Sequence, residues 1–192
     1  MQFNQHFNLI GKHAFLSASK YAWIRYDDEK LDDVFRNHKE AQRGSELHEF
    51  ASRAINLGIR LPRSARTLNM FVNDALGFRM QSEQILFYSD NVFGTADAIS
   101  YKEPRGDVPG MLRIHDLKNG VTKASFDQLL VYVAIFCLEY GVKPAKIDIE
   151  LRIYQNDEMV PMIPDLDDIL VIMEKIVRFD RRIDALKAEL SS

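Results

Sequence analysis

Asp116 and Lys118 stand two apart in the run Met111 to Lys118, so on a strand both project from the face that carries Leu112 and Ile114. A carboxylate and an ammonium that continue an apolar row are costly to bury singly, and mutual pairing or a metal ion is the usual remedy. For so common a tripeptide, a strand-end salt bridge is the plain alternative. Asp97, behind Gly94-Thr95-Ala96, falls in the preceding strand, which brings it beside Asp116 if the meander continues. Two carboxylates held together raise each other's pKa unless a cation lies between them. The small residues at 94 to 96 leave room for a ligand or a phosphate to approach the backbone, or mark a bulge.

Three further groups could take part. His48, in Gly44-Ser45-Glu46-Leu47-His48, sits one position from an apolar helical stripe, at the boundary of the core. It is either a packing residue or an imidazole ligand added to carboxylates around a hard cation. Gln128 and Tyr132 are four apart on a helix and share a face beside Leu129, Val133 and Phe136. An amide and a phenol can bond a phosphate or a base edge, and equally a loop carbonyl. Arg53, Arg60, Arg63 and Arg66 fall in a stretch without acids, a phosphate-tracking surface or simply a solvated face.

The elements that must position these groups follow from periodicity. Asp32 to Leu57 reads as a helix with Leu47, Phe50, Ala51, Ala54 and Ile55 as its buried stripe and Gly58 as its stop. Thr67 to Leu76 reads as a second helix. Glu83 to Ser89, a turn at Ser89-Asp90-Asn91, and Val92 to Tyr101 form a hairpin. Lys102 to Gly110 is a loop, Met111 to Lys118 a third strand ended by Asn119-Gly120, and Thr122 to Tyr140 a helix closed by Gly141. Ile147 to Tyr154 alternates as a half-buried strand, and Leu166 to Leu190 is an amphipathic helix. The expected fold is therefore mixed α/β (α+β), a central mixed sheet of four or more strands flanked by helices. One domain spans 1–192, with a helical part over 1–80, the core sheet over 82–155 with its helix at 122–140, and a C-terminal helix at 166–190.

Composition narrows the function classes. The 192 residues are 46% hydrophobic and 28% charged, typical of a folded globular chain. The single cysteine, Cys137, excludes an internal disulfide, a cysteine-rich zinc site and an iron–sulfur cluster. A net charge of −3 advertises no global affinity for a polyanion, so any phosphate surface must be local, while Asp157 to Asp168 is strongly acidic. The longest apolar run, Leu129 to Leu138, is too short to cross a bilayer, and residues 1 to 13 lack the order of a signal peptide. A cytoplasmic protein without membrane association is expected.

Taken together, G-x-x-x-H at 44 to 48, G-x-x-D at 94 to 97, D-x-K at 116 to 118 and Q-x-x-x-Y at 128 to 132 resemble the PD-(D/E)XK nuclease superfamily, in its branch of RecB-like, Cas4-like and viral exonucleases. Leu16-Ser17-Ala18-Ser19 followed by Tyr21 weakly echoes that branch's N-terminal segment. The resemblance implies a restriction-endonuclease-like core and a DNA exonuclease of a phage or bacterial cell. It makes His48, Asp97, Asp116 and the main-chain carbonyl of Leu117 ligands of Mg²⁺ or Mn²⁺, and Lys118 the catalytic lysine. Gln128 and Tyr132 become strand-holding groups. Asn119-Gly120 departs from the Thr-Gly common after that lysine. The implied partners are DNA, single- or double-stranded, and a homo-oligomer or a recombination or replication protein. A binding module that does not cut and a structure-selective endonuclease are the alternatives.

Overall fold

The computed structural model describes residues 15, 16, 18–120 and 122–190. The leader reading at residues 1 to 13 and Ser17 of the N-terminal echo lie outside the described residues. The chain divides into two compact units, Met1–Arg43 and Gly44–Ser192.

In the first unit a 3-10 segment, Ala18–Arg25, precedes α1, Asp28–Asn56, whose residues up to Arg43 belong to this unit. Asp27 caps α1: its carboxylate accepts the Lys30 N–H at 2.8 Å and its carbonyl accepts that of Leu31. Phe15 packs edge-on against Phe35, ring centroids 5.1 Å apart.

The second unit starts with the rest of α1 and continues through α2 (Thr67–Gly77), β1 (Gln81–Ser89), β2 (Val92–Lys102), β3 (Gly110–Leu117), α3 (Asp127–Tyr140), β4 (Ile147–Gln155), β5 (Glu158–Met162) and α4 (Leu166–Leu190). The strands form one mixed sheet in the order β1-β2-β3-β4-β5, antiparallel except for the β3–β4 pair, which α3 connects. One face, with Leu112, Ile114, Leu151 and Ile153, packs on α3 and α4. On the other, Ala98, Leu117 and Tyr154 meet Ala51, Ala54 and Ile55 of α1 and Phe71, Val72 and Ala75 of α2. The α1 stripe is narrower than expected: Phe50 is half exposed and Leu47 half-buried, so α1 meets the sheet through two alanines and an isoleucine. Gly58, at φ +68°, ends that turn as expected.

Helix α1 begins at Asp28, one turn before the expected Asp32, and two further differences, the start of α3 and the unread strand β5, have tertiary reasons. Helix α3 begins at Asp127 and not near Thr122, because Gln155 captures the preceding backbone. Its side-chain amide donates to the carbonyls of Gly120 and of Thr122, the latter at 2.8 Å, and its oxygen accepts the Ala124 N–H at 3.1 Å. Strand β5 lies in the run read only as acidic. Asn156 and Asp157 both take positive φ, +54° and +59°, as a two-residue hairpin turn requires. The Asp157 carboxylate then accepts the Thr67 N–H at 2.9 Å and its hydroxyl at 3.2 Å, capping α2, which has no side-chain cap of its own at Arg66. That backbone hydrogen bond holds Asp157 below the usual carboxylate range.

Both sheet edges are guarded. The Phe87 N–H on β1 donates to Glu139 of α3 at 2.8 Å, and β5 carries Pro161, which has no N–H to offer. Cys137 is buried in α3, where desolvation pushes its thiol up to about 11, consistent with packing as its role. Among the described residues, no helix is long and apolar enough to cross a membrane.

A polar network bolts α2 to the sheet. Arg152 pairs with Asp74 at 2.9 Å and Glu150 at 2.6 Å, and Tyr154 donates to Asp74 at 2.7 Å. Arg113 and Arg152 both stack over the Phe78 ring. His115 is fully buried beneath it, between Phe78 and Tyr154, on the face opposite Asp116. Desolvation, with the charges of Arg152 and Arg113, lowers its pKa from 6.5 to about 3. The unfolded chain therefore takes up a proton below pH 6.5 that the native state refuses until about pH 3. Stability is full above the first value and falls by about 1.4 kcal/mol per pH unit between the two. Urea unfolding at pH 7 and pH 4.5 should show this loss in the wild type and a smaller one in His115→Leu. An equal pH dependence in both proteins would deny His115 that role.

Candidate metal and phosphate site

The site lies where β2 leaves β3. Their pairing runs from Lys102↔Met111 to Ala98↔His115 and stops, while β2 continues along β1 and β3 stays paired with β4 as far as Leu117↔Tyr154. The parting leaves main-chain polar groups to be satisfied by side chains. Asp97 accepts the Leu117 N–H at 2.8 Å, and the Thr95 carbonyl accepts the Tyr132 hydroxyl at 2.6 Å. Gly94 admits the Tyr132 ring, since a Cβ there would lie 2.9 Å from its Cε1.

Into this wedge α1 delivers His48, whose Nδ1 lies 3.3 Å from Asp97 Oδ1. The helix is tied to β1 just before the site, where Ser52 and Ser82 share a hydrogen bond of 2.9 Å and Ser82 donates to Asn56 at 3.1 Å. The hydrogen bond to Asp97 raises the His48 pKa against the opposing pull of burial. The imidazole therefore shifts toward the cationic form beside Asp97.

Directly after Ser82, Glu83 takes φ +51°, an uncommon backbone conformation for a side-chain-bearing residue inside a strand. The distortion is local: Gln84↔Ala96 and Ser82↔Ala98 stay in register on either side, so Glu83 stands opposite Asp97. His48, Glu83 and Asp97 each offer one ligand atom, all within 4.8 Å of one another. Burial, then the Asp97 charge, raises the Glu83 pKa. Sequence reasoning missed Glu83. Counting back through the hairpin from Phe87↔Phe93 would have found it, but the irregular pairing at Ser89↔Val92 blurs that count by one residue.

Asp116 and Lys118 project toward α3 as alternation predicts. Asp116 is 2% exposed, and its Oδ2 lies 3.0 Å from Lys118 Nζ. Burial and the Asp97 charge raise the Asp116 pKa, and Lys118 opposes them. Lys118 also donates to Gln128 at 2.8 Å, Gln128 donates to Tyr132 at 3.0 Å, and the Tyr132 hydroxyl donates to the Thr95 carbonyl at 2.6 Å. Burial pushes the Tyr132 phenol up, so it stays a donor. Asp116, Lys118, Gln128, Tyr132 and Thr95 thus form one relay from β3 through α3 to β2.

The structure brings together His48, Asp97, Asp116, Lys118, Gln128 and Tyr132 from four separate elements or their ends, α1, β2, β3 and α3, and adds Glu83 from β1. They fall in two subsets: His48 and Asp97, with Glu83, each bring one potential ligand atom within 4.8 Å of the others, while Asp116 is in the ion pair with Lys118. Leu117, whose carbonyl the resemblance offers as a ligand, is fully buried and contributes its N–H to Asp97. The arginines divide as well. Arg53 pairs with Glu49 at 3.0 Å and Arg66 with Asp157 at 3.4 Å, while Arg60 and Arg63 are exposed in the loop after α1. One imidazole with carboxylates suits a hard divalent cation of the Mg²⁺ or Mn²⁺ type, and three acids gathered around His48 and Lys118 leave room for further positive charge.

No family model and no curated protein matches this chain. Among solved structures, "Crystal structure of SSO0001" aligns over 73% of this chain and 70% of its own, at 13% identity and a TM-score of 0.29. A likeness at that level bears on neither fold nor chemistry.

Titration calorimetry with Mn²⁺ tests the ligand set. Asp97→Asn is expected to lose at least tenfold in affinity, about 1.4 kcal/mol, and Glu83→Gln a comparable or smaller amount. Affinity unchanged by Glu83→Gln would return that residue to the strand.

Proposed function

We propose that this chain is a divalent-cation-dependent nuclease of the PD-(D/E)XK type that hydrolyses phosphodiester bonds of DNA, acting from strand ends. The observation that carries the reading is the ammonium of Lys118, held between Asp116 and Gln128 at the mouth of a wedge that also gathers His48, Glu83 and Asp97.

A Mg²⁺ or Mn²⁺ ion, when held by His48 and the carboxylates, supplies charge for the phosphate oxygens and acidifies a bound water. The remaining work falls to the chain's own groups. Asp116, 3.0 Å from the Lys118 Nζ, and Gln128, which accepts from it at 2.8 Å, together fix the direction of that group. The ammonium is then oriented before substrate arrives and needs little rearrangement as negative charge grows on the phosphorus centre. Water adds to phosphorus, one P–O ester bond breaks, and the departing oxygen takes a proton, leaving a phosphate monoester and a hydroxyl. Tyr132 and Gln128, fixed to β2, line the approach on the α3 side. Asp97 holds the His48 imidazole by its Nδ1, which fixes the ring's orientation in the wedge.

With Arg53 and Arg66 each paired to a carboxylate, Arg60 and Arg63, exposed in the loop after α1, are the arginines of the run best placed to track a phosphate backbone. Each phosphate that such a cation neutralises adds nearly one unit to the salt dependence of binding.

Two experiments bear on this reading. End-labelled linear DNA should be degraded in Mg²⁺ or Mn²⁺ and spared in EDTA, with closed circles resistant. Lys118→Ala should lower the cleavage rate by about a hundredfold or more while DNA and Mn²⁺ affinity hold. A Lys118→Ala protein that cuts at the wild-type rate ends the assignment. Separately, Arg60→Glu with Arg63→Glu should flatten the slope of log affinity against log salt by about two units. An unaltered slope would make that loop merely solvated.

A further inference from the structure

Helix α4 carries an apolar row with alternating three- and four-residue spacing along its whole length: Ile169, Ile172, Ile176, Phe179, Ile183, Leu186 and Leu190. That spacing keeps one seam facing a single partner helix. The first half of the row has its partner. Ile169 and Ile176 are buried in the core with α3, and Ile172 packs against the same cluster. The second half does not share that burial: Phe179 is 51% exposed, Ile183 and Leu186 38% each, and Leu190 87%.

The rotation of this second half is fixed. Asp180 accepts Ser89 Oγ at 2.5 Å and the Asn91 amide at 2.8 Å, Asp184 accepts that amide at 2.8 Å, and Lys187 donates to the Asn91 side-chain oxygen. These three polar residues dock the helix on the β1–β2 turn and turn the apolar row beside them outward.

We infer that the outward half of this row is a dimerisation surface, occupied by the same row of a second copy in antiparallel orientation about a two-fold axis. The row is complementary to itself when reversed. Set antiparallel, Phe179 faces Leu190 of the second copy and Ile183 faces its Leu186, so all four residues are used at once. The flanking charges select this direction. Arg182 and Glu189, exposed and joined to each other at 3.6 Å within one chain, exchange partners so that each Arg182 meets the other copy's Glu189. In a parallel pair, Arg182 would instead face Lys187 of the second copy, five positions on, and the like charges would repel. An isologous pairing of these short rows buries on the order of 1,000 Å² in all, at the lower limit of specific interfaces, as in a reversible complex. The surface is separate from the wedge site and does not depend on its chemistry.

Sedimentation velocity of the full chain, from about 1 to about 100 µM, should show a monomer–dimer equilibrium. Ile183→Glu with Leu186→Glu should be monomeric throughout, with circular dichroism and thermal midpoint unchanged. Arg182→Glu alone, a change at a solvent-facing position that leaves the fold intact, should weaken the dimer about tenfold, and Arg182→Glu with Glu189→Arg should restore it. A wild type that stays monomeric at the highest concentration, or a dimer indifferent to the glutamate pair, overturns the surface. A dimer strengthened by Arg182→Glu overturns the antiparallel arrangement.

Discussion

The end of the β2–β3 ladder is the constraint from which the candidate site follows. Two strands that part inside a sheet expose main-chain donors and acceptors that water cannot reach easily, and each must find a side chain. The Leu117 N–H takes Asp97, and the Thr95 carbonyl takes Tyr132. The same two side chains that repair the ladder therefore face the opening it creates. Structural need and chemical opportunity coincide at one place. Gly94 is required there because α3 must approach β2 closely enough for the phenol to reach.

Around this opening the charges do not balance. Glu83, Asp97 and Asp116 gather within electrostatic reach, answered by Lys118 and a histidine whose proton Asp97 helps retain. Glu83 reaches the group only by adopting a left-handed backbone, a conformation costing of order 1 kcal/mol, so the strand gives up some stability to aim a carboxylate. The cost is borne by a rigid surround. On the sheet face that α1 shares with α2, Asp74, Glu150 and Arg152 lock α2 against β4, and Asp157 pins the β4–β5 turn to the start of α2. The strands that part at one end are thus fastened firmly beyond it.

Much of this arrangement was legible in the sequence because it rests on period. Alternation placed Asp116 and Lys118 on one face, helical spacing placed Gln128 beside Tyr132, and the hairpin pattern set Asp97 in the neighbouring strand. What was illegible depends on contacts distant in the chain. A glutamate at positive φ looks like any exposed strand residue, so Glu83 left no mark. Arg53 and Arg66 looked free of acids only along the local run, whereas Glu49 lies one helical turn before the first and Asp157 meets the second across the fold. The late start of α3 is decided by Gln155, thirty-one residues from the amide it binds at Ala124. β5 is short, largely exposed and interrupted by Pro161, so its sequence resembles a loop until β4 is there to receive it.

The two guarded sheet edges carry a consequence for the protein's behaviour in bulk. A five-stranded sheet with open margins is a template onto which further strands can add, and crowded solutions of such sheets tend toward fibrils. Here a glutamate occupies an amide on one margin and an imino acid interrupts the other. Strand addition is thereby disfavoured at both margins: an incoming strand would have to displace Glu139 from the Phe87 N–H on one side and would meet Pro161, which has no N–H, on the other.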